Sequence, residues 1–292
     1  MIPSSELIQN PDGSIYHIAL KDEHVADWVI TVGDPNRVQQ VSKYFDEIFF
    51  KIQHREFITH TGRLGRQIIT VISTGIGTDN IDIVLNELDA AVNIDPSSRT
   101  IKESLRRLRI IRIGTTGALQ NELPLDSVVA SHFAIGFDNV LNYYSTRQNP
   151  LREEALEELL IQQVTWPSHL GHPQAWSCDK DLLSYFSSVH QGITLTAPGF
   201  YAPQGRKIRL GHAFPNLFSK IGSINYKNLK VTNFEMETSA IYGLSALLGH
   251  HALSLSAVVA QRKTQTFSKD PSAAIENLIR YSLEIIEKIP AW

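Results

Sequence analysis

Three kinds of segment in this chain carry residue types that bind anions, sugars and aromatic bases. Gly33-Asp-Pro-Asn-Arg37 and Arg112-Ile-Gly-Thr-Thr-Gly117 each set glycine close to an arginine. Glycine lets backbone N–H groups approach an anion, and a guanidinium is a planar fork for phosphate oxygens. Thr115 and Thr116 add hydroxyl donors. Taken singly, each segment reads equally well as a turn glycine with a surface arginine. Neither fits a dinucleotide or Walker pattern, so a nucleoside triphosphate is not indicated. Asn233-Phe-Glu-Met-Glu237 places two carboxylates, Glu235 and Glu237, where the pattern opens a helix. A helix dipole favours acidic residues there in any protein. Beside an anion site the pair gains a second reading. A carboxylate can accept from sugar hydroxyls and offset positive charge developing on the sugar. Phe200-Tyr-Ala-Pro-Gln204-Gly-Arg206 follows an aromatic segment with an amide and a guanidinium two residues apart. That set can stack on a ring and hydrogen-bond its polar edge, or equally form a surface loop.

The elements that must hold these groups are short apolar runs bounded by glycine. Trp28–Val32 stops at Gly33, Gln67–Ile72 runs into Ser73-Thr-Gly-Ile-Gly77, and Arg109–Ile113 stops at Gly114. Ser127–Ala130, Gly192–Thr196 and Leu253–Ala260 look alike. Such β-branched runs read as buried strands. Helical spacing lies between them, over Asp79–Asn93, Pro150–Val164, Glu235–Leu248 and Pro271–Lys288, the last with a proline near its start. Alternating strands and helices predict an α/β fold around a mostly parallel or mixed central sheet. Ligands of such sheets bind beyond the carboxyl ends of the strands, where the glycine segments lie. No boundary divides the chain, so residues 1–292 read as one domain.

Composition narrows the classes. The 292 residues carry 27 Lys+Arg against 30 Asp+Glu, a net charge of -3, which argues against charge-driven nucleic-acid binding. Arg99, Lys102, Arg106, Arg107 and Arg109 are expected to solvate a helix or loop ahead of a strand. Cys178 is the only cysteine, so neither an intrachain disulfide nor a Cys-based zinc site is expected. It has no positioned base and reads as inert. His169 and His172 have metal-like spacing, but no acidic ligand stands near them in sequence. Residues 1–14 are polar and no apolar run approaches a membrane span, so a soluble cytoplasmic protein without a membrane partner is expected. Trp28 and Phe57 read as core.

In order and spacing, these segments resemble the nucleoside phosphorylase family, of the purine nucleoside phosphorylase and uridine phosphorylase type. The resemblance spans nearly the whole chain: Tyr16-His17, Gly33–Arg37, His54–Phe57, Ser73–Gly77, Arg112–Ala118, Phe200–Arg206, Phe234–Glu237 and Gln261-Arg262. It is closest to the uridine phosphorylases. It implies a single-domain nucleoside phosphorylase-like fold with a mixed sheet flanked by helices. It implies uridine and phosphate as substrates, and uracil and ribose 1-phosphate as products. Gly33, Arg37, Arg112 and Thr115 match the phosphate site. Arg55 matches the arginine that reaches phosphate from the adjoining subunit, and His17 the histidine that reaches the ribose 5′-hydroxyl across that interface. Met236 and Glu237 match the ribose contacts, with Glu235 beside them. Gln204 and Arg206 match the pair that reads the uracil edge. Phe200 would pack on the nucleoside, and Arg262 matches a further arginine on the uracil side. Arg112, Glu237, Gln204 and Arg206 are then the catalytic set, in a homodimer or a hexamer built from it.

The chemistry of the base fits a pyrimidine. Purine phosphorylases of this type place an aspartate near position 261, but Val259-Ala260-Gln261-Arg262 lacks that acid. Uracil can leave as a delocalised anion, which donors such as Gln204 and Arg206 suit. No redox cofactor is required. Thr78-Asp79-Asn80 departs from the Gly-Pro-Ser of bacterial uridine phosphorylases, whose serine helps hold a monovalent cation with residues matching Glu56 and Ile76. Here Asn80 would have to supply the oxygen for potassium. Thr196-Ala-Pro-Gly199 also departs, which bears on base selectivity, and the longer Pro96–Arg109 segment bears on assembly. The competing readings are a purine nucleoside phosphorylase, a nucleoside hydrolase of the same fold, and a non-catalytic nucleoside-binding protein.

Overall fold

The computed structural model describes residues 1–146 and 148–290, with side chains for all of these except residues 215–217. The strands are β1 (Trp28–Val32), β2 (Glu47–His54), β3 (Phe57–Leu64), β4 (Gln67–Ser73), β5 (Ile94–Asp95), β6 (Thr100–Ile101), β7 (Arg109–Ala118), β8 (Val128–Gly136), β9 (Gln174–Ser177), β10 (His190–Thr196), β11 (Asn225–Tyr226), β12 (Leu229–Glu235), β13 (His251–Gln261) and β14 (Thr266–Phe267). The helices are α1 (Pro35–Ser42), α2 (Thr78–Asn93), α3 (Glu154–Val164), α4 (Lys180–Tyr185), α5 (Pro215–Ile221), α6 (Thr238–Leu248) and α7 (Pro271–Lys288).

Twelve strands form one mixed sheet in the order β11-β12-β10-β8-β13-β7-β1-β4-β3-β2, with β14 on β13 and β9 on β8. The β5–β6 hairpin stands apart. β1 runs parallel to β4 and β7, and β7 parallel to β13. β12 returns to pair antiparallel with β7, at Asn233 with Ala118 and Phe234 with Gly117. That pairing closes β7, β13, β8, β10 and β12 into a ring.

Residues Trp28 to Val32 are buried throughout, as a central strand covered on both faces requires. Trp28 and Phe57 are core residues, each 2% exposed. Helix α6 packs on β13, β8 and β10 and also on α2, while α7 covers β7 and β13. Ile279, Leu283 and Ile286 of α7 are buried, at spacings of four and three that put them on one face.

Several boundaries differ from the sequence reading. The strand beginning at Arg109 does not stop at Gly114 but runs on to Ala118. It continues because both of its edges are paired there, by β13 and by the return of β12. Likewise Glu235 does not open a helix. It ends β12, and α6 starts at Thr238, with Glu237 as its cap. Helix α3 begins at Glu154, not Pro150, because residues ahead of it bond sideways: Arg152 bridges to Trp176 and Glu153 N–H donates to the Ala175 carbonyl. The basic segment before β7 does more than face solvent. Lys102 and Arg106 both pair with Asp22, and Arg106 also pairs with Asp27.

Candidate active site

The carboxyl ends of β1, β4 and β7 converge on one cavity of about 780 Å³, which the ends of β12 and β13 also reach. Its walls include Gly33, Arg37, Arg112, Thr115 and Thr116 on one side. Glu235, Met236 and Glu237 line it with Phe200, Gln204, Arg206, Val259 and Ala260. The fold thus brings the glycine–arginine segments, the two carboxylates and the Gln204–Arg206 pair into one space.

The anion side starts where β1 leaves the sheet. Asp34 caps α1 by accepting the Asn36 N–H at 2.9 Å, so the glycine at 33 sits just ahead of a helix N-terminus. A Cβ on Gly33 would lie 3.3 Å from the Gly75 carbonyl oxygen, so the two loops pass closely. Arg37 donates from Nη1 to the Ile113 carbonyl at 3.3 Å, and its buried Nε has no hydrogen-bond partner among the described residues. Burial lowers the Arg37 pKa, and the neighbouring Arg112 charge lowers it further. A buried guanidinium whose charge is opposed by burial and by a second guanidinium favours an anion beside it.

Arg112 is the centre of the site. Its Nη2 lies 2.5 Å from Glu237 Oε2 and 3.2 Å from Glu235 Oε2, and its Nη1 donates to Ser256 Oγ at 3.1 Å. Burial opposes its charge, but the two carboxylates outweigh it and hold the pKa above the usual arginine value. Gly114 makes the room: a Cβ there would stand 2.1 Å from Arg112 Nη1.

The two carboxylates divide the work. Glu235 accepts Thr196 Oγ1 at 2.6 Å and the N–H groups of Glu237 and Thr238, each at 2.9 Å. It thereby satisfies the orphan donors at the start of α6. Glu237 accepts the Gly77 N–H at 2.9 Å on Oε1 and Arg112 on Oε2. Burial pushes its carboxyl upward, against the pull of Arg112. Gly75 and Gly77 have φ of 72° and 99°, and this left-handed backbone turns the loop so that its N–H faces Glu237.

Arg206 stacks over the Phe200 ring at 3.8 Å and donates to the Phe200 carbonyl at 2.7 Å. It also hydrogen-bonds Gln204 Oε1, which fixes the orientation of that buried amide. Arg262 does not line the cavity. It sits behind Phe234, with its guanidinium 5.6 Å from that ring. Burial and the Arg206 charge bring its pKa down to about 10, and its buried Nη1 has no hydrogen-bond partner among the described residues. Two cations therefore back one end of the cavity.

His17 and Arg55 do not reach the cavity of their own chain. His17 Nδ1 pairs with Glu87 at 2.5 Å, and its carbonyl lies 2.8 Å from His54 Nδ1. Arg55 lies over the Tyr16 ring at 5.3 Å and donates to the Tyr16 hydroxyl at 3.4 Å. The two are neighbours on an outer face, and Glu56, next to Arg55, lines the cavity rim. Ile76 and Asn80 line it too, although the Asn80 Nδ2 is the atom turned to Gly75.

Other suspected residues are accounted for elsewhere. His172 Nε2 lies 3.0 Å from Glu157, an acid that sequence spacing does not reveal. Arg152 pairs with the same carboxylate at 2.9 Å. Among the described residues, no group of three or more His, Cys, Asp and Glu side chains could hold a metal. Cys178 is buried, with a thiol pushed up to about 12 by burial. Among the described residues no helix is long and apolar enough to cross a membrane. Sequence reasoning missed Ser256 and Gly77 as partners of Arg112 and Glu237. Of these only Gly77, in a Gly-x-Gly turn, carried a sequence signal.

Comparison with known proteins agrees with this geometry. A family model described as the phosphorylase superfamily matches residues 27–287. A uridine phosphorylase of Thermococcus kodakarensis is 32% identical over 266 residues, which cover 91% of this chain and 84% of that protein. A crystal structure of a Trypanosoma brucei nucleoside phosphorylase, described as showing uridine phosphorylase activity, superposes with a TM-score of 0.87 at 30% identity, covering 97% of this chain and 100% of that one. A uridine phosphorylase structure from the oomycete Phytophthora capsici shares the fold, with a TM-score of 0.70 at 21% identity over 99% of each chain.

Proposed function

The chain belongs to the phosphorylase superfamily, and on that premise we propose that it is a uridine phosphorylase, a pentosyltransferase that converts uridine and phosphate into uracil and ribose 1-phosphate. The observation that carries the reading is Arg112. It is shared between the anion side of the cavity and Glu237, while Gln204 and Arg206 line the same space.

Phosphate would lie among Gly33, Arg37, Arg112 and Thr115, and ribose against Met236 and Glu237. Glu235 supports that contact by fixing the first turn of α6. The uracil edge would meet Gln204 and Arg206, with Phe200 against its face. The C1′–N1 bond breaks with its electron pair passing to uracil, and a phosphate oxygen bonds C1′ from the opposite face. The proton of hydrogen phosphate ends on uracil. As the bond stretches, the ribose gains oxocarbenium character and uracil gains negative charge. Glu237 offsets the first, and Arg206, with Arg262 behind it, offsets the second. No electrons are transferred to an acceptor, so phosphate is the only co-substrate the reaction needs.

His17 and Arg55 would complete the site of a partner chain, which makes a homodimer the minimal active unit. The reaction requires no metal; Glu56, Ile76 and Asn80 are the residues that would hold a monovalent cation if one bound at that interface. The enzyme would serve pyrimidine salvage in the cytoplasm. An ultraviolet assay over a nucleoside panel in phosphate buffer tests the base assignment. Uridine is expected to react fastest and inosine poorly. Preference for inosine would replace this reading with a purine phosphorylase.

A further inference from the structure

Asp138 follows β8 and is not among the residues that line the large cavity. Its Oδ2 accepts from Ser239 Oγ at 3.1 Å and its Oδ1 accepts the Val140 N–H at 3.0 Å. The Thr78 hydroxyl stands near the same carboxylate and favours its charged form. These two hydroxyls mark the first turns of two helices. Thr78 opens α2, directly after Gly77, and Ser239 is the second residue of α6, two after Glu237.

Gly77 and Glu237 are themselves joined, by the N–H donated to Glu237 Oε1 at 2.9 Å. Asp138 therefore bonds Ser239, two residues after Glu237, and Glu237 in turn accepts the Gly77 N–H. We propose that Asp138 is a positioning residue for the phosphorolysis described above, holding Glu237 against Gly77 by fixing the first turn of α6 through Ser239. The inference rests on that reading of the site.

Three observations support it. The N-terminus of α6 carries partial positive charge, which the Asp138 carboxylate bonded to Ser239 offsets. Gly136 leaves the space: a Cβ there would lie 2.6 Å from Asp138 Oδ2 and 2.6 Å from Ser239 Oγ. Ser239 is also fixed from its other side, because its N–H donates to Thr196 Oγ1 at 2.9 Å, and Thr196 Oγ1 donates to Glu235. A shift at Asp138 is thus transmitted to both carboxylates of the ribose side.

The test is a double-mutant cycle on the full-length enzyme. Asp138→Asn should lower kcat about tenfold, with uracil affinity unchanged within about threefold, because the uracil-reading residues lie elsewhere. In a Glu237→Gln background the same substitution should change kcat less than about twofold, since its effect passes through Glu237. An equal loss in both backgrounds, or a lower melting temperature with kcat unchanged, would overturn the assignment and leave Asp138 a helix cap. If Asp138→Asn does not fold, Ser239→Ala removes one hydroxyl and should reproduce the loss, and full activity in that variant overturns the proposal. A wild type inert towards every nucleoside in phosphate would overturn the reading of the site and the assignment with it. An active wild type with unaffected variants overturns only the assignment.

Discussion

Arg112 and Glu237 form one buried pair, 2.5 Å apart, on strand β7 and at the cap of helix α6. Both side chains line the cavity, the arginine with Arg37 and the carboxylate with Met236, so this contact joins the two groups of residues. Glu235, 3.2 Å from the same guanidinium, keeps Arg112 from being left without a counter-charge when Glu237 is removed. Glu237→Ala is therefore expected to yield a folded protein whose kcat falls about 100-fold or more, because the lost group acts on the cation-like transition state. Uracil affinity, measured by calorimetry, should change less than about threefold. A matching loss of uracil affinity would show that Glu237 supports the base pocket instead.

Gly114 is a test of the arginine's position rather than its charge. Its backbone is that of an ordinary strand residue, but a Cβ would stand 2.1 Å from Arg112 Nη1 and 2.5 Å from its Cζ. Gly114→Ala should displace the guanidinium and lower kcat/KM by about 10–100-fold, as misplacement of a catalytic group by about 1 Å does. Wild-type kinetics in this variant would show that the position of Arg112 is not critical.

The base side depends on charge. Arg206→Ala is expected to lower kcat/KM for uridine by at least ~100-fold, the scale of losing a charged donor to a developing anion. Inosine should remain a poor substrate of the variant. A loss below about fivefold would mean that Arg206 serves the Phe200 loop it is stacked on and not the leaving base.

The sequence made the cavity legible because its chemistry is written in short segments. Gly33–Arg37, the Arg112 segment, Gln204-Gly-Arg206 and Glu235-Met-Glu237 were each ambiguous, and the fold brought them to one place. What pattern reading could not see was pairing between distant strands. Gly114 and Gly117 look like a turn, yet β12 and β13 keep that stretch extended. Glu235 and Glu237 look equivalent, yet one closes a helix end and the other faces Gly77 and Arg112. The contacts of Ser256 with Arg112 and of Asp138 with Ser239 carry no local signal, since the partners are 144 and 101 residues away.

The placement of His17 and Arg55 on an outer face predicts complementation. A twofold dimer makes the sharing of a site reciprocal. Arg55→Ala and Glu237→Ala should each be nearly inactive alone. In a mixed dimer, the site on the Arg55→Ala chain keeps its own Glu237 and borrows an intact Arg55, while the other site carries both lesions. Co-expressed variants should recover activity that neither shows alone. Mixed dimers, verified by two affinity tags, that stay inactive would show that Arg55 and Glu237 serve the same chain.

Arg37 and Arg112 both line the cavity, and a phosphorylase needs them there to hold the phosphate that attacks the sugar in place of water. The most direct measurement is uracil release from uridine, followed by ultraviolet absorbance in buffer stripped of phosphate, before and after phosphate or arsenate is added. Almost no release is expected until either anion is present, and saturable release thereafter. Undiminished release without either anion would contradict it and identify the enzyme as a hydrolase.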